Sequence, residues 1–91
     1  MSVSVRIPTI LRAYTGGSAQ VTAEPGTLRE VIAGLDAHYP GLGGRILDDQ
    51  GQIRRFVNVY VDDEDVRLAA GLDTQVPSGG QVSVIPAVAG G

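Results

Sequence analysis

Apolar and polar residues alternate from Ser2 to Ile7, with Val3, Val5 and Ile7 on one side and Ser2, Ser4 and Arg6 on the other. A period of two predicts a half-buried strand. Tyr14-Thr-Gly-Gly-Ser18 reads as a turn, after which Gln20 to Ala23 can pair back as a second strand. The period then changes. Leu28, Val31, Ile32, Leu35 and Tyr39 fall on one stripe at helical spacing. Thr27-Leu28-Arg29-Glu30 ahead of them fits a capping box, in which the Thr hydroxyl and the Glu carboxylate satisfy backbone N–H groups reciprocally. Tyr39-Pro40-Gly41 ends the helix, because the residue before proline is pushed out of the helical region. Gly34, inside the helix, is expected to mark close packing against a strand.

Residues 41–52 are rich in glycine and irregular, with one short turn expected around Arg45-Ile46-Leu47. Phe56 to Val61 is the clearest strand: Val57, Val59 and Val61 point one way and Phe56, Asn58 and Tyr60 the other. Asp62 to Asp65 reads as a turn, Val66-Arg-Leu68 as a short strand, Pro77-Ser-Gly-Gly80 as a turn, and Gln81 to Ile85 as the last strand. Strand, strand, helix, strand, short strand, strand is the order of an α+β β-grasp, or ubiquitin-like, domain: a mixed sheet on one main helix. The expected domain covers 1–85, and 86–91 form a flexible tail.

The 91 residues are enough for one compact domain, and the balance of 43% apolar to 19% charged residues suits a globular chain. A net charge of −3 argues against nucleic acid, whose binders show a basic footprint; the seven cationic residues are all Arg and are spread along the chain. No apolar run approaches membrane-spanning length, and the N-terminus has neither the basic lead nor the apolar stretch of a signal peptide. A cytoplasmic location is the expectation.

There is no cysteine, which removes disulfides, thiolate metal sites and cysteine nucleophiles. Asp62, Asp63, Glu64 and Asp65 are the one carboxylate cluster. As a calcium loop they fail, since Val66 and Arg67 would stand where a ligand and a glycine belong. No metal site is expected; a solvated turn is the plain reading, and an acidic patch for a basic partner the other. His38, the sole histidine, falls in the last helical turn without a nucleophile beside it. Arg54-Arg55 could contact phosphate but also reads as ordinary surface. Glycine pairs at 16–17, 43–44 and 79–80 read as turns, and no phosphate-loop or Rossmann spacing occurs. The chain also lacks lysine, so only its N-terminal amine could be acylated by an activated carboxyl.

The fourth pair, Gly90-Gly91, ends the chain. Without Cβ atoms two glycines can thread a narrow enzyme channel, and the five residues Ala87, Val88, Ala89, Gly90 and Gly91 reach roughly 17 Å when extended. A terminal carboxylate is inert until activated, as by adenylation. A frayed glycine end is the alternative. If Val57, Val59 and Val61 face the helix, Phe56, Tyr60 and Ile85 lie on the other sheet face. There they either form an exposed partner patch or are covered by residues 41–52.

The tail Pro86-Ala-Val-Ala-Gly-Gly91 resembles the ending of the ThiS/MoaD sulfur carriers. The segment Arg55-Phe-Val-Asn-Val-Tyr-Val-Asp-Asp-Glu-Asp-Val-Arg67 and the opening Ile7-Pro-Thr-Ile-Leu-Arg12 are similar to the CysO-type branch, which serves cysteine biosynthesis. The turn Ser78-Gly79-Gly80, where an acid-Gly-Asp is common, and Asp62, where Asn is expected, depart from the pattern.

The resemblance implies a protein co-substrate, not an enzyme. A ubiquitin-activating-type enzyme would adenylate Gly91 with ATP, and a sulfur donor would convert it to a thiocarboxylate. A PLP-dependent cysteine synthase would take the sulfur onto an aminoacrylate derived from O-phosphoserine, and a JAMM-type zinc metallopeptidase would release the cysteine. ATP, PLP and zinc then belong to partners, and the chain itself binds no cofactor. Gly90 and Gly91 are the reactive end; Phe56, Tyr60, Ile85, Ala87, Val88 and Ala89 are the expected partner contacts. Delivery to molybdopterin or to a thiolated secondary metabolite is the alternative acceptor, and a ubiquitin-like protein modifier or an inert interaction module the alternative class. Thiamine-pathway carriers are typically shorter.

Overall fold

A computed structural model describes residues 2–86. Strand β1 (Val3–Arg6) turns through a 3₁₀ helix (Thr9–Thr15) into β2 (Gln20–Ala23), and the two pair antiparallel with Val5 opposite Val21. A two-residue strand β3 (Gly26–Thr27) leads into helix α1 (Leu28–His38). After α1 come a one-turn helix α2 (Gly43–Ile46), then β4 (Val57–Val61) and β5 (Glu64–Asp65). Two 3₁₀ turns (Val66–Leu68 and Gly71–Asp73), β6 (Gln75–Val76) and β7 (Gln81–Pro86) complete the chain.

The main sheet runs β2-β1-β7-β4-β5, with β1 and β7 parallel and the remaining pairs antiparallel. The small pair β3–β6 lies apart from it, with Gly26 opposite Val76. This is the expected β-grasp: a mixed sheet laid against one main helix.

Side-chain alternation places Val3, Val5, Val57, Val59, Val61, Val82 and Val84 inward, all buried. They meet Leu28, Val31, Ile32 and Leu35 of α1. Burying each such side chain contributes roughly 1.5–3 kcal/mol, so this interface dominates the stability of a small domain. The start of α1 follows from the capping box: the Thr27 hydroxyl accepts from the Glu30 N–H at 3.2 Å, and Glu30 Oε1 accepts from the Thr27 N–H at 2.9 Å. The Thr27 N–H first, and second the Thr27 hydroxyl donating to the same Oε1 at 3.1 Å, hold the Glu30 carboxyl below its ordinary pKa.

Several expectations are corrected. Residues 66–68 are a 3₁₀ turn, not a strand: the Asp65 carboxylate accepts the Arg67 N–H at 2.9 Å and starts the turn, while Val66 drops into the core. The pairing with β4 is made instead by Glu64 and Asp65, within the acidic run itself. Gly43-Gly44 opens α2 and is not a turn. Gly43 is buried against Asp36, whose Oδ1 accepts the N–H groups of Gly41 and Gly43, and a Cβ there would lie 2.8 Å from the Asp36 side chain. Gly34 is exposed and packs closely against nothing. Strand β7 extends through Pro86, opposite Val57, one residue past the expected boundary at 85. The tail residues 87–91 lie outside the described residues.

Candidate functional site

The strand that leads to the tail is the third of five in the sheet, held on one side by β1 and on the other by β4. Its start is pinned as well. Asp62 and Asp63 take up positive φ angles of 49° and 73°, closing a two-residue hairpin loop between Val61 and Glu64. The Asp62 N–H donates to the Gln81 carbonyl, and its carboxylate accepts the Gln81 N–H, both at 2.9 Å. Gly80 is buried just before; a Cβ there would sit 2.9 Å from the Pro77 carbonyl oxygen. The departure at Ser78-Gly79-Gly80 therefore has a steric reason, and the departure at Asp62 leaves a side chain that ties two strands together.

Phe56 is 53% exposed and Ile85 47%. Phe56 sits in the turn before β4, while Ile85 lies opposite Asn58 and Tyr60 opposite Ser83, so Ile85 and Tyr60 are diagonal neighbours on the outer face. Tyr60 is half-buried. The 41–52 segment does not cover this face: Leu42 and Ile46 are drawn completely into the core, which lies on the other side of the sheet. Phe56 and Ile85 are therefore exposed as the first reading has it, and Tyr60 only in part.

Arg67 fixes the turn that carries Phe56. Its Nη2 donates to the carbonyls of Arg54 and Val57 and its Nη1 to Asn58 Oδ1, each at 2.8 Å. A planar fork can hold three acceptors at once, which an ammonium on a flexible stem does poorly. Nothing in the sequence marked Arg67 for this role, because its partners lie nine to thirteen residues earlier.

Ile10, 70% exposed on the 3₁₀ helix Thr9–Thr15, was also missed; with Pro8 it stands beside Val84 and Pro86 at the root of the tail. Leu68 is exposed as well, on the turn beyond the edge strand β5. Among the described residues, no three His, Cys, Asp or Glu side chains group to hold a metal ion. His38 is exposed, its ring 6.2 Å from that of Tyr39. No helix among the described residues is long and apolar enough to cross a membrane. Ala87, Val88, Ala89, Gly90 and Gly91 lie outside the described residues.

The model of the ThiS family matches residues 5–91. The chain belongs to the ThiS family. It is 50% identical over its whole length, and over the whole length of the relative, to the sulfur carrier protein CysO of Mycobacterium tuberculosis. The CysO fold in the crystal structure of the Amycolatopsis orientalis BexX/CysO complex superposes with a TM-score of 0.91. The identity there is 44%, over 98% of this chain and 99% of that one. The small archaeal modifier protein 3 of Haloferax volcanii is 40% identical over 71% of this chain and 70% of its own length. These likenesses support a sulfur-carrier role and a CysO-type ubiquitin-like fold. The complex with BexX shows a chain of this type engaged with another protein.

Proposed function

We propose that this ThiS-family chain is a sulfur carrier whose Gly91 carboxylate is the reacting group. The observation that carries the reading is the full-length 50% identity to a sulfur carrier protein CysO. The fold supports it: the central strand of the sheet, braced on both sides, leads directly to the glycine end.

In the proposed chemistry a Gly91 carboxylate oxygen attacks the α-phosphorus of ATP on a ubiquitin-activating-type enzyme, and pyrophosphate leaves. A sulfide sulfur then attacks the acyl carbon of the mixed anhydride, and AMP leaves, giving the thiocarboxylate; a persulfide donor would instead leave an acyl disulfide, from which a second thiol releases the thiocarboxylate by forming a disulfide with the donor's sulfur. Its anionic sulfur is the nucleophile delivered onward, to a PLP-dependent cysteine synthase. A JAMM-type zinc metallopeptidase would free the product and regenerate the carboxylate. This chain supplies the acyl group, the narrow tail and the docking face; ATP, PLP and zinc sit on the partners. On this reading the chain would work in the cytoplasm, where ATP is supplied.

Intact-mass analysis tests the reading. With activating enzyme, ATP and sulfide, one oxygen is expected to be replaced by sulfur, and deletion of Gly91 to abolish the change. An unchanged mass, or a change that survives the deletion, refutes it. The likeness to a small archaeal modifier protein favours a second reading, attachment to other proteins through the same carboxylate. That reading predicts higher-mass conjugates of the tagged chain in cell extracts, which a dedicated carrier does not form.

A further inference from the structure

Two clefts flank Pro86, where the tail leaves the sheet. One, of about 370 Å³, runs past Tyr14, Arg45 and Arg54; the other, of about 420 Å³, past Arg6 and Arg12. Pro8, Ile10, Val84 and Pro86 form the wall they share. Four of the chain's seven arginines therefore gather around the tail root, and no carboxylate side chain lines either cleft. In a chain of ten acidic residues and net charge −3, that is a strong local reversal of sign.

Among the described residues these arginines make no ion pairs. The one salt bridge among the described residues joins Arg29 and Asp73, outside both clefts. Three of the four are instead held by Nε alone: Arg12 to the Ile7 carbonyl at 3.1 Å, Arg45 to the Tyr14 hydroxyl at 2.7 Å and Arg54 to the Gly44 carbonyl at 2.9 Å. No hydrogen bond from their Nη nitrogens is made among the described residues. A guanidinium anchored through one nitrogen loses less freedom on meeting a carboxylate, and it matches that group with two parallel bonds.

We infer that Arg6, Arg12, Arg45 and Arg54 form a basic collar that docks on a carboxylate-rich rim around the partner's tail channel. The inference rests on the carrier reading and adds to it the chemistry of the partner surface. Charge complementarity argues for a carboxylate-rich protein surface. Exposed Ile10 stands at the centre of the collar, giving the apolar middle and charged border of a protein–protein contact. A nucleic-acid backbone, the other polyanion, would gain nothing from Ile10 and would meet the chain's ten carboxylates. Like charges on collar and rim would repel wrong partners, and opposite charges would speed encounter.

The test is steady-state adenylation by the activating enzyme with ATP, as a function of salt. The wild-type kcat/KM is expected to fall about tenfold between roughly 0.05 and 0.3 M salt, as for steered association. The Arg6→Gln/Arg45→Gln double variant should lose about tenfold in kcat/KM at low salt through KM, flatten the salt dependence and keep kcat. Arg6→Gln alone, at a residue whose side chain makes no hydrogen bond among the described residues, guards against a folding artefact and should show a smaller loss of the same kind. Arg29→Gln should behave as wild type. Salt-independent kcat/KM, or collar variants equal to wild type while adenylation proceeds, overturns the collar and leaves the carrier reading standing. A rise in kcat/KM in the double variant also overturns it, since the collar would then be holding this chain's own tail. Salt-sensitive binding of a single-stranded oligonucleotide that displaces the enzyme would do the same in favour of nucleic acid. No adenylation of the wild-type chain overturns both.

Discussion

Replacement of Arg67 probes the link between the fold and the docking face. Its guanidinium holds the Arg54 and Val57 carbonyls and the Asn58 side chain, each at 2.8 Å, around the turn that exposes Phe56. Arg67 is itself exposed, so water replaces part of what is lost, and each bond is worth about 0.5–1 kcal/mol net. Three bonds give about 1.5–3 kcal/mol for Arg67→Ala. In a domain of this size that lowers Tm by about 6–24 °C. Lysine can keep roughly one of the three bonds, so Arg67→Lys should lose about 1–2 kcal/mol while conserving charge. Thermal unfolding followed by far-UV circular dichroism measures the first effect. The second is read at Phe56, the sole phenylalanine, whose ring resonances should move in both variants well below their Tm. The adenylation kcat/KM should fall with them. A lysine variant melting within about 1 °C of wild type, or unchanged Phe56 resonances in the alanine variant, would refute the clamp.

Three further outcomes are expected. Phe56→Ala should leave Tm nearly unchanged, because the ring is half in solvent, yet raise KM for adenylation; loss of the fold would count against a docking role. Asp63→Gly should stabilise. An L-residue at φ 73° costs about 1 kcal/mol and the added freedom of glycine in the unfolded chain offsets about half, so Tm should rise by about 2–4 °C; an unchanged or lower Tm refutes it. Glu30 has a lowered folded-state pKa, so its contribution to stability is complete above its ordinary value of 4.5 and disappears as pH falls through the lower, folded value. Glu30→Gln should therefore flatten stability against pH below about 4.5, and equal acid dependence in the two proteins would disprove the capping role.

The long elements were legible because each buries one face. Alternation in 2–7 and 56–61 and the stripe from Leu28 to Leu35 locate three of the main strands and helices of the core, and Thr27 with Glu30 marks where α1 begins. The short ones were not. Val66-Arg-Leu68 reads equally as strand or turn in three residues; the deciding term is a hydrogen bond from the Arg67 N–H to the preceding carboxylate. The β3–β6 pair contributes two residues from each strand, too few to show a period. The Thr9–Thr15 turn buries only Leu11 and Thr15, and the Thr15 hydroxyl is satisfied by the Ser18 and Arg12 carbonyls, a local arrangement without a sequence signature. The candidate site divides the same way. Tyr60 and Ile85 follow from strand alternation, whereas Phe56, expected in the strand, lies in the turn before β4, and the arginines at 6, 12, 45 and 54 look scattered until topology brings them to one end of β7.

That end of β7 shows what the fold contributes to a carrier that holds no catalytic group at its tail. Pairing with β1 ends at Ser83, and pairing with β4 continues to Val57 opposite Pro86, so the strand is held on both sides at its start and by β4 alone where the tail begins. Proline at that point has no N–H to extend the ladder and a φ restricted to about −65°, so pairing ends there and the exit direction is narrowed. Five residues can then extend at most roughly 17 Å. On the carrier reading proposed above, a partner's reactive centre would lie within about that distance of Pro86. The collar proposed above would then be what distinguishes one partner from another, since Ile10, Ile85 and the four arginines line the clefts beside Pro86 while Gly90 and Gly91 carry no side chain.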